Sequence, residues 1–420
     1  MATLAPAVLH LSLVVGGELR DPADERLGRV DDLIVRLGDE DYPPVTGVVA
    51  TVAGRPVFLA AEQVVEIAPG VVTLDADQLD LQHFRRRPQE VLLKKDVLDR
   101  QLINVDGARL VRANEIELAR LDGWYRVVGV DVSLRSLWRR VIPRSLADRV
   151  APGAFLDWAS VEPFTGHVPT VRLRVPHPKL AKLHPAQLAD LVEAASHSEG
   201  EEIMAAVAAD PEREADVFEE LEDSHQLEFI EDRGDGEIAA LIGRMETDDA
   251  ADLVLQLPEE RREQVIALLS AFQARRLRTL LGYDPATAGG MMSPEYVCLY
   301  ADATREETLE RVERSTLPAE SLSQIFGMDT YRRLRGTIAL ADLVRAPAGE
   351  RLANVLGEAQ PVRADADLEE VARLMTDFDL TVVPVIDDDE RILGIVTVDD
   401  VLELVLPEGW RRRFGVLGGD

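Results

Sequence analysis

The sequence predicts a multidomain α+β protein: two small β-barrels, then an all-α superhelical domain, then a tandem α/β pair. Three observations carry this. Short β-branched runs broken by Gly, Asp and Pro fill the beginning and recur 83 residues later, with Leu27, Arg29, Asp32, Leu33 and Val35 matching Leu110, Arg112, Glu115, Ile116 and Leu118. A strongly acidic middle places apolar residues at helical spacing, as in Leu188, Leu191, Val192 and Leu253, Leu257, Val265. The last third alternates strand-like and helix-like segments and repeats at an offset of 58, Ile325, Asp329, Gly336 and Asp342 matching Val383, Asp387, Gly394 and Asp400.

The first barrel is expected over 1–82 and the second over 88–145, from runs such as Arg29–Leu37 and Thr46–Phe58. Residues 146–180 read as a linker, because Pro152, Pro163, Pro169, Pro176 and Pro178 break any long helix. Two basic clusters, Arg85-Arg86-Arg87 and Arg139-Arg140, are solvated surface or a dock for an acidic partner domain. The helical domain spans 181–284, punctuated by Gly200, Pro211, Gly234-Asp235-Gly236 and Pro258. The α/β pair spans 290–407, and 408–420 is a tail whose Trp410-Arg411-Arg412-Arg413-Phe414 reads as a frayed terminus or a short membrane-surface contact.

Composition narrows the function. The 420 residues carry a net charge of −31, which excludes a nucleic-acid binder, since that needs basic surface against phosphate. From Ala181 to Glu260 there are 24 Asp/Glu against 4 Lys/Arg, so most of the imbalance sits in the helical domain and calls for counter-cations or solvated faces. The longest apolar runs, such as Leu380–Ile386, fall short of the roughly 18 residues of a spanning helix, so no transmembrane segment is expected. Met1–Val14 lacks a basic leader region, and the single Cys298 makes no internal disulfide. A cytoplasmic protein is expected. Catalysis finds no support: His184, His197 and His225 lie on separate segments, Gly289-Gly290 lacks the Lys-Ser/Thr of a phosphate loop, and no Cys/His set has zinc spacing. Cys298 reads as a small buried hydrophobe.

Several segments resemble known families. Val97-Leu98-Asp99-Arg100, Val105-Asp106-Gly107 and Val111-Arg112-Ala113-Asn114 resemble the PRC-barrel family, as do Gly16-Gly17 and Leu27-Gly28-Arg29-Val30-Asp31-Asp32. Asp379-Leu380-Thr381-Val382-Val383-Pro384-Val385-Ile386-Asp387 followed by Leu393–Leu402 resembles a CBS module, and Leu334–Leu343 a degenerate first copy. His184-Pro185-Ala186-Gln187-Leu188, Met245–Leu253 and Leu281–Met292 resemble the intracellular N-terminal domain of the MgtE magnesium channels and its joint to their CBS pair. The resemblance covers about 180–407 in that family's order, and the chain stops at Asp420, where the family continues into a gating helix and membrane helices.

Mg²⁺ takes oxygen ligands and keeps several waters, so one or two carboxylates per site suffice. Asp248 and Asp252, four apart, share one helix face. The resemblance implies that this set, with Asp249, faces acidic positions Asp365, Asp367, Glu369 and Asp379 of the CBS pair across Mg²⁺. The alternative is local: Thr247 as N-cap, with Asp248 and Asp249 stabilising the first turn by about 0.3–1 kcal/mol each. The CBS resemblance also implies an adenine nucleotide, with Thr397 and Asp400 on the ribose and Val383 and Pro384 near the base. In the first copy Ala339 replaces the hydroxyl while Asp342 is kept, and Asp400 could instead act as a cap. The resemblance further implies a homodimer through the CBS pair. Three readings follow: a cytosolic Mg²⁺-sensing regulator of magnesium or divalent-cation transport, acting on a separate membrane cation transporter and closing its helical domain on the CBS pair; an adenine-nucleotide-binding CBS regulatory module; or a soluble subunit of a split magnesium transporter.

Overall fold

Strand β3 (Arg26–Arg36) organises the N-terminal region. The computed structural model describes residues 8–38, 40–75, 86–87, 89–133, 155–164 and 179–406. Around β3 run β2 (Glu18–Arg20), β4 (Val45–Val52), β5 (Arg55–Ala60), β6 (Val64–Ala68) and β7 (Val71–Leu74), in the order β5-β4-β3-β2-β7-β6. β8 (Glu90–Leu92) also pairs with β3, Leu92 opposite Ile34. β9 (Gln101–Asn104), β10 (Arg109–Arg112), β11 (Glu115–Leu121) and β12 (Trp124–Asp131) follow. They join two further sheets, β1-β11-β12-β13 and β10-β9-β14, where β1 is Leu9–His10, β13 Phe155–Asp157 and β14 Val161–Pro163. The region is β-rich, but its sheets do not appear as two closed barrels among the described residues.

The two repeats are interlocked. β1, which opens the first copy, pairs with β11 of the second, Leu9 opposite Leu118. β8, which opens the second, pairs with β3 of the first. Two matching acidic residues fasten this exchange. Asp32 accepts the backbone N–H groups of Lys94 and Lys95 at 2.8 and 3.0 Å, at the start of a π-turn over Leu93–Val97. Glu115 accepts the Ser12 N–H at 3.1 Å and its hydroxyl, at the start of α1 (Leu11–Val14). Each carboxylate thereby satisfies orphan donors on the other copy's first turn. One apolar core runs through both copies and includes Leu11, Leu33, Val48, Ile116 and Leu118, each 0% exposed.

The stretch 146–180, expected as a linker, contributes β13 and β14. Phe155-Leu156-Asp157 pairs with Asp131-Val130-Gly129, and Val161-Glu162-Pro163 with Asn104-Ile103-Leu102. Pro163 is tolerated there because β14 is an edge strand, where a missing N–H costs no ladder bond. Arg85, Arg139-Arg140, Pro152, Pro169, Pro176, Pro178 and the tail motif lie outside the described residues. Of the first basic cluster, Arg86 pairs with Asp96 at 2.8 Å and Arg87 lies over the Phe58 ring.

The helical run comprises α2 (Pro185–Ala194), α3 (His197–Val207), α4 (Pro211–Glu219), α5 (Asp223–Glu231), α6 (Asp235–Ile242), α7 (Thr247–Gln256), α8 (Glu259–Leu268) and α9 (Ala271–Leu280). Pro185 and Pro211 stand at first helical positions, where the missing N–H is not needed. Gly200 does not break a helix. Ser196 and Glu199 form a capping pair that starts α3 at His197, and Gly200 is buried inside it. The chain divides into two compact units at Arg213/Glu214, inside α4. In the second unit, α6 packs on α8 and α7 on α9, the alternating pattern of stacked helices.

Two α/β copies complete the second unit, with α10 (Ala288–Met291) before the first and α13 (Leu352–Val355) between them. The first has β15 (Val297–Tyr300), α11 (Arg305–Glu313), β16 (Gln324–Met328), β17 (Leu334–Ala339) and α12 (Leu340–Arg345); the second has β18 (Val362–Arg363), α14 (Leu368–Phe378), β19 (Val382–Ile386), β20 (Ile392–Thr397) and α15 (Val398–Val405). In each, the first strand runs parallel to the second and the third antiparallel to it. These copies also exchange backbone. Ser293, before the first copy, bridges Ile395 of β20, and Gly357, before the second, bridges Thr337 of β17. Gly394 and Gly336 permit these approaches: a Cβ on Gly394 would lie 2.7 Å from the Ser293 carbonyl oxygen, and one on Gly336 would strike that of Gly357.

Candidate metal centre

Helix α7 places the acidic motif. Glu246 is its N-cap in extended conformation, and Thr247, Asp248 and Asp249 form its first turn. Carboxylates there are favoured by the unsatisfied N–H groups and the helix dipole. Ala250, Ala251, Leu253 and Val254 bury the opposite face. Thr247, the N-cap in the alternative to the metal reading, is instead inside the helix and buried, and its hydroxyl donates to Glu295 Oε1 at 3.0 Å. Glu295 Oε1 also meets Arg276 at 3.2 Å.

The surroundings are acidic and partly closed to water. Asp248 is half-buried, and its shielded Oδ1 has no hydrogen-bond partner. Burial holds its carboxyl well above the usual carboxylate range, and the charges of Asp249, Asp400 and Glu246 add to the push. Glu246 is pushed up to about 7 by burial and by Glu295 and Asp400. Glu219 accepts the Glu246 N–H at 2.6 Å and is pushed up to about 8, chiefly by burial. The charge therefore calls for protons or for a cation. The donors are carboxylate oxygens throughout, the chemistry of a hard ion such as Mg²⁺. No three of these carboxylates bring ligand oxygens within 4.8 Å of one another, so they fit an ion that keeps most of its waters rather than a closed cage.

The charge of Asp400 reaches Asp248 and Glu246, whereas the other expected ligands are dispersed. Asp252 lies one turn along α7 and is exposed. Asp367 is the N-cap of α14, accepting the Glu370 N–H at 2.9 Å. Glu369 pairs with Arg373, and Asp365 lies 3.6 Å from Arg363. Asp379 is the C-cap of α14 in the left-handed conformation, φ 52°. An 11-residue helix spans about 16 Å, so Asp367 and Asp379 at its two ends do not share one ion. Sequence reasoning missed Glu219, Glu246 and Glu295. Only Glu246, beside the Thr-Asp-Asp motif, carried a local signal; the others are assembled by tertiary packing.

The expected nucleotide positions are internally satisfied. Thr397 N–H and hydroxyl both donate to Asp400 Oδ2, at 2.9 and 2.7 Å, which caps α15. Val383 and Pro384 are buried in β19, Pro384 opposite Ile395. In the first copy Ala339 cannot form this cap, and Asp342 pairs with Arg345 at 3.1 Å instead.

Two segments of the chain match known domains. Residues 183–286 match the MgtE intracellular N domain, and residues 358–407, the second α/β copy, match the CBS domain. The chain is 35% identical over 198 residues to the magnesium transporter MgtE of Thermus thermophilus, covering 46% of this chain and 44% of that protein. It is 29% identical over 209 residues to the magnesium transporter MgtE of Bacillus subtilis, covering 49% and 46%. The chain thus spans less than half the length of these relatives. A crystal structure of the cytosolic domain of the Mg²⁺ channel MgtE in complex with ATP superposes with a TM-score of 0.50 and 32% identity, covering 54% of this chain and 92% of that one. No described helix is long and apolar enough to cross a membrane. The chain therefore carries an MgtE intracellular N domain followed by a CBS domain, and it resembles the MgtE magnesium transporters through this half of its length.

Proposed function

We propose that this chain is a cytoplasmic sensor of Mg²⁺ that regulates magnesium transport by drawing its helical domain onto its CBS pair. Asp248 carries the reading. One of its oxygens is shielded without a hydrogen-bond partner, at the start of α7, and the charge of Asp400 from α15 of the CBS pair reaches it. Without a cation, carboxylates on the two sides repel; a hydrated divalent ion between them lowers that repulsion and favours the closed arrangement. On this reading Asp248, Asp249 and Asp400 hold the ion, with Glu246 and Glu219 close behind them. Asp252, Asp365, Asp367, Glu369 and Asp379 contribute field rather than ligation. The partner is a membrane cation transporter. A homodimer through the CBS pair is part of the proposal, supported by the exposed Phe378, Leu402 and Val405 of α14 and α15.

A nucleotide at Thr397 and Asp400 is the weaker reading. Its phosphates would approach an acidic neighbourhood, and its ribose would compete with the capping bonds of α15.

The test is the melting temperature and the scattering radius and mass of the protein against Mg²⁺, with NaCl controls of equal ionic strength. A ligand at ten times its Kd adds about 1.4 kcal/mol, which raises Tm by about 3–6 °C in a unit of about 200 residues. The wild type should stabilise and contract, and Asp248→Asn should be more stable without Mg²⁺ and respond less. A response equal to the NaCl control would overturn the proposal, and a monomer mass would remove the dimer from it.

A further inference from the structure

A cleft of about 1110 Å³ lies where α9, the end of α11 and two hairpin turns meet. Five arginines line it: Arg276 from α9, Arg311 and Arg314 from the end of α11, Arg332 from the β16–β17 turn and Arg391 from the β19–β20 turn. Two carboxylates, Glu295 and Asp387, face them. Both are already engaged: Glu295 takes Arg276 and the Thr247 hydroxyl, and Asp387 accepts the N–H groups of Asp389 and Arg391 within its own turn. The cleft is therefore basic in a chain of net charge −31.

The hairpin turn that carries Arg332 is fixed by its own hydrogen bonds. Arg332 sits in the left-handed region, φ 65°, in a turn fixed by Asp329, which accepts the Tyr331 and Arg333 N–H groups at 2.8 and 3.0 Å. The matching left-handed position of the second copy is Glu390, so the positive charge here is not imposed by the repeat. The charges of Arg276 and Arg332 both reach the Tyr296 hydroxyl, and that of Arg332 also the Cys298 thiol. Arg314 pairs with Glu310 and Arg391 with Asp389 at 3.0 Å, both at the surface, whereas Arg311 and Arg332 make no ion pair among the described residues. Tyr331, 73% exposed, stands at the mouth, and Arg391 donates to its carbonyl at 3.4 Å.

We propose that this cleft binds a polyphosphate chain, carried either by inorganic polyphosphate or by a nucleoside polyphosphate. Planar forked donors suit phosphate oxygens, and several arginines around one open cleft suit several linked phosphates. The space is ample for such a ligand. The site is separate from the Thr397–Asp400 pair, neither of which lines it.

Calorimetric titration of the full chain with tripolyphosphate, and separately with ATP, both in EDTA, tests this. Saturable tripolyphosphate binding is expected, weakened about tenfold or more in Arg311→Ala/Arg332→Ala, since each loses charge-assisted hydrogen bonds. The Lys/Lys double variant should recover part of the affinity, and Arg112→Ala/Arg335→Ala, exposed arginines outside the cleft, should bind as the wild type. Tighter binding of ATP than of tripolyphosphate, equally sensitive to the cleft variant, would identify the nucleoside form. No saturable tripolyphosphate binding, or equal loss in the control variant, would overturn the proposal.

Discussion

Asp32 accepts three backbone N–H groups, from Leu33, Lys94 and Lys95; Asp248 keeps one shielded oxygen with none. Burial therefore has different consequences at the two. Asp32 is pushed up to about 6 by burial, against the pull of its three donors. An unfolded aspartate releases its proton near 3.9, so between about pH 4 and 6 the folded chain binds more protons than the unfolded one. Stability from this group is full below about pH 4 and declines as pH rises through 6. Asp32→Asn should flatten that part of the Tm–pH curve while costing about 1–3 kcal/mol, because an amide offers one acceptor oxygen where two are used. Asp379 makes a second case. Its left-handed backbone favours glycine, so Asp379→Gly should leave Tm unchanged or slightly raised and the Mg²⁺ response intact. A lost response in calorimetry would restore Asp379 as a ligand. Neither role was legible in the sequence, since an aspartate reads alike as cap, ligand or solvated charge until its neighbours are known.

Elements were more legible than residues where local signals coincide. Pro185, Pro211 and Gly234 mark helix starts that the structure keeps, because their constraints act within one turn. Gly200 misled because the Ser196–Glu199 cap overrides a single weak helix former. The strands at Phe155 and Val161 were hidden by their length of three residues each, too short for periodicity, and by the prolines around them. The offset of 58 aligned positions with matching work: Asp329 and Asp387 each fix a hairpin turn, and Gly336 and Gly394 each admit a foreign backbone. Gly394→Ala should therefore be costly, about 1–3 kcal/mol, since the obstructing atom is backbone and cannot rotate away. A urea midpoint within error of the wild type would show that the bridge to Ser293 can shift.

At the scale of the molecule, both tandem repeats are tied in one manner. In the N-terminal region β1 and β8 cross to each other's sheets, and in the CBS pair the segments at Ser293 and Gly357 do so. The repeats could be read from sequence as similarity at fixed offsets, whereas their exchange could not, because strand pairing between copies leaves no mark on composition. The exchange sets the order of events during synthesis. Ser293 leaves the ribosome well before Ile395, its partner, and at about 5–20 residues per second the wait is on the order of 5–20 s. For those seconds the first CBS copy exists with its lead segment unpaired, the backbone a chaperone or a neighbouring nascent chain meets first.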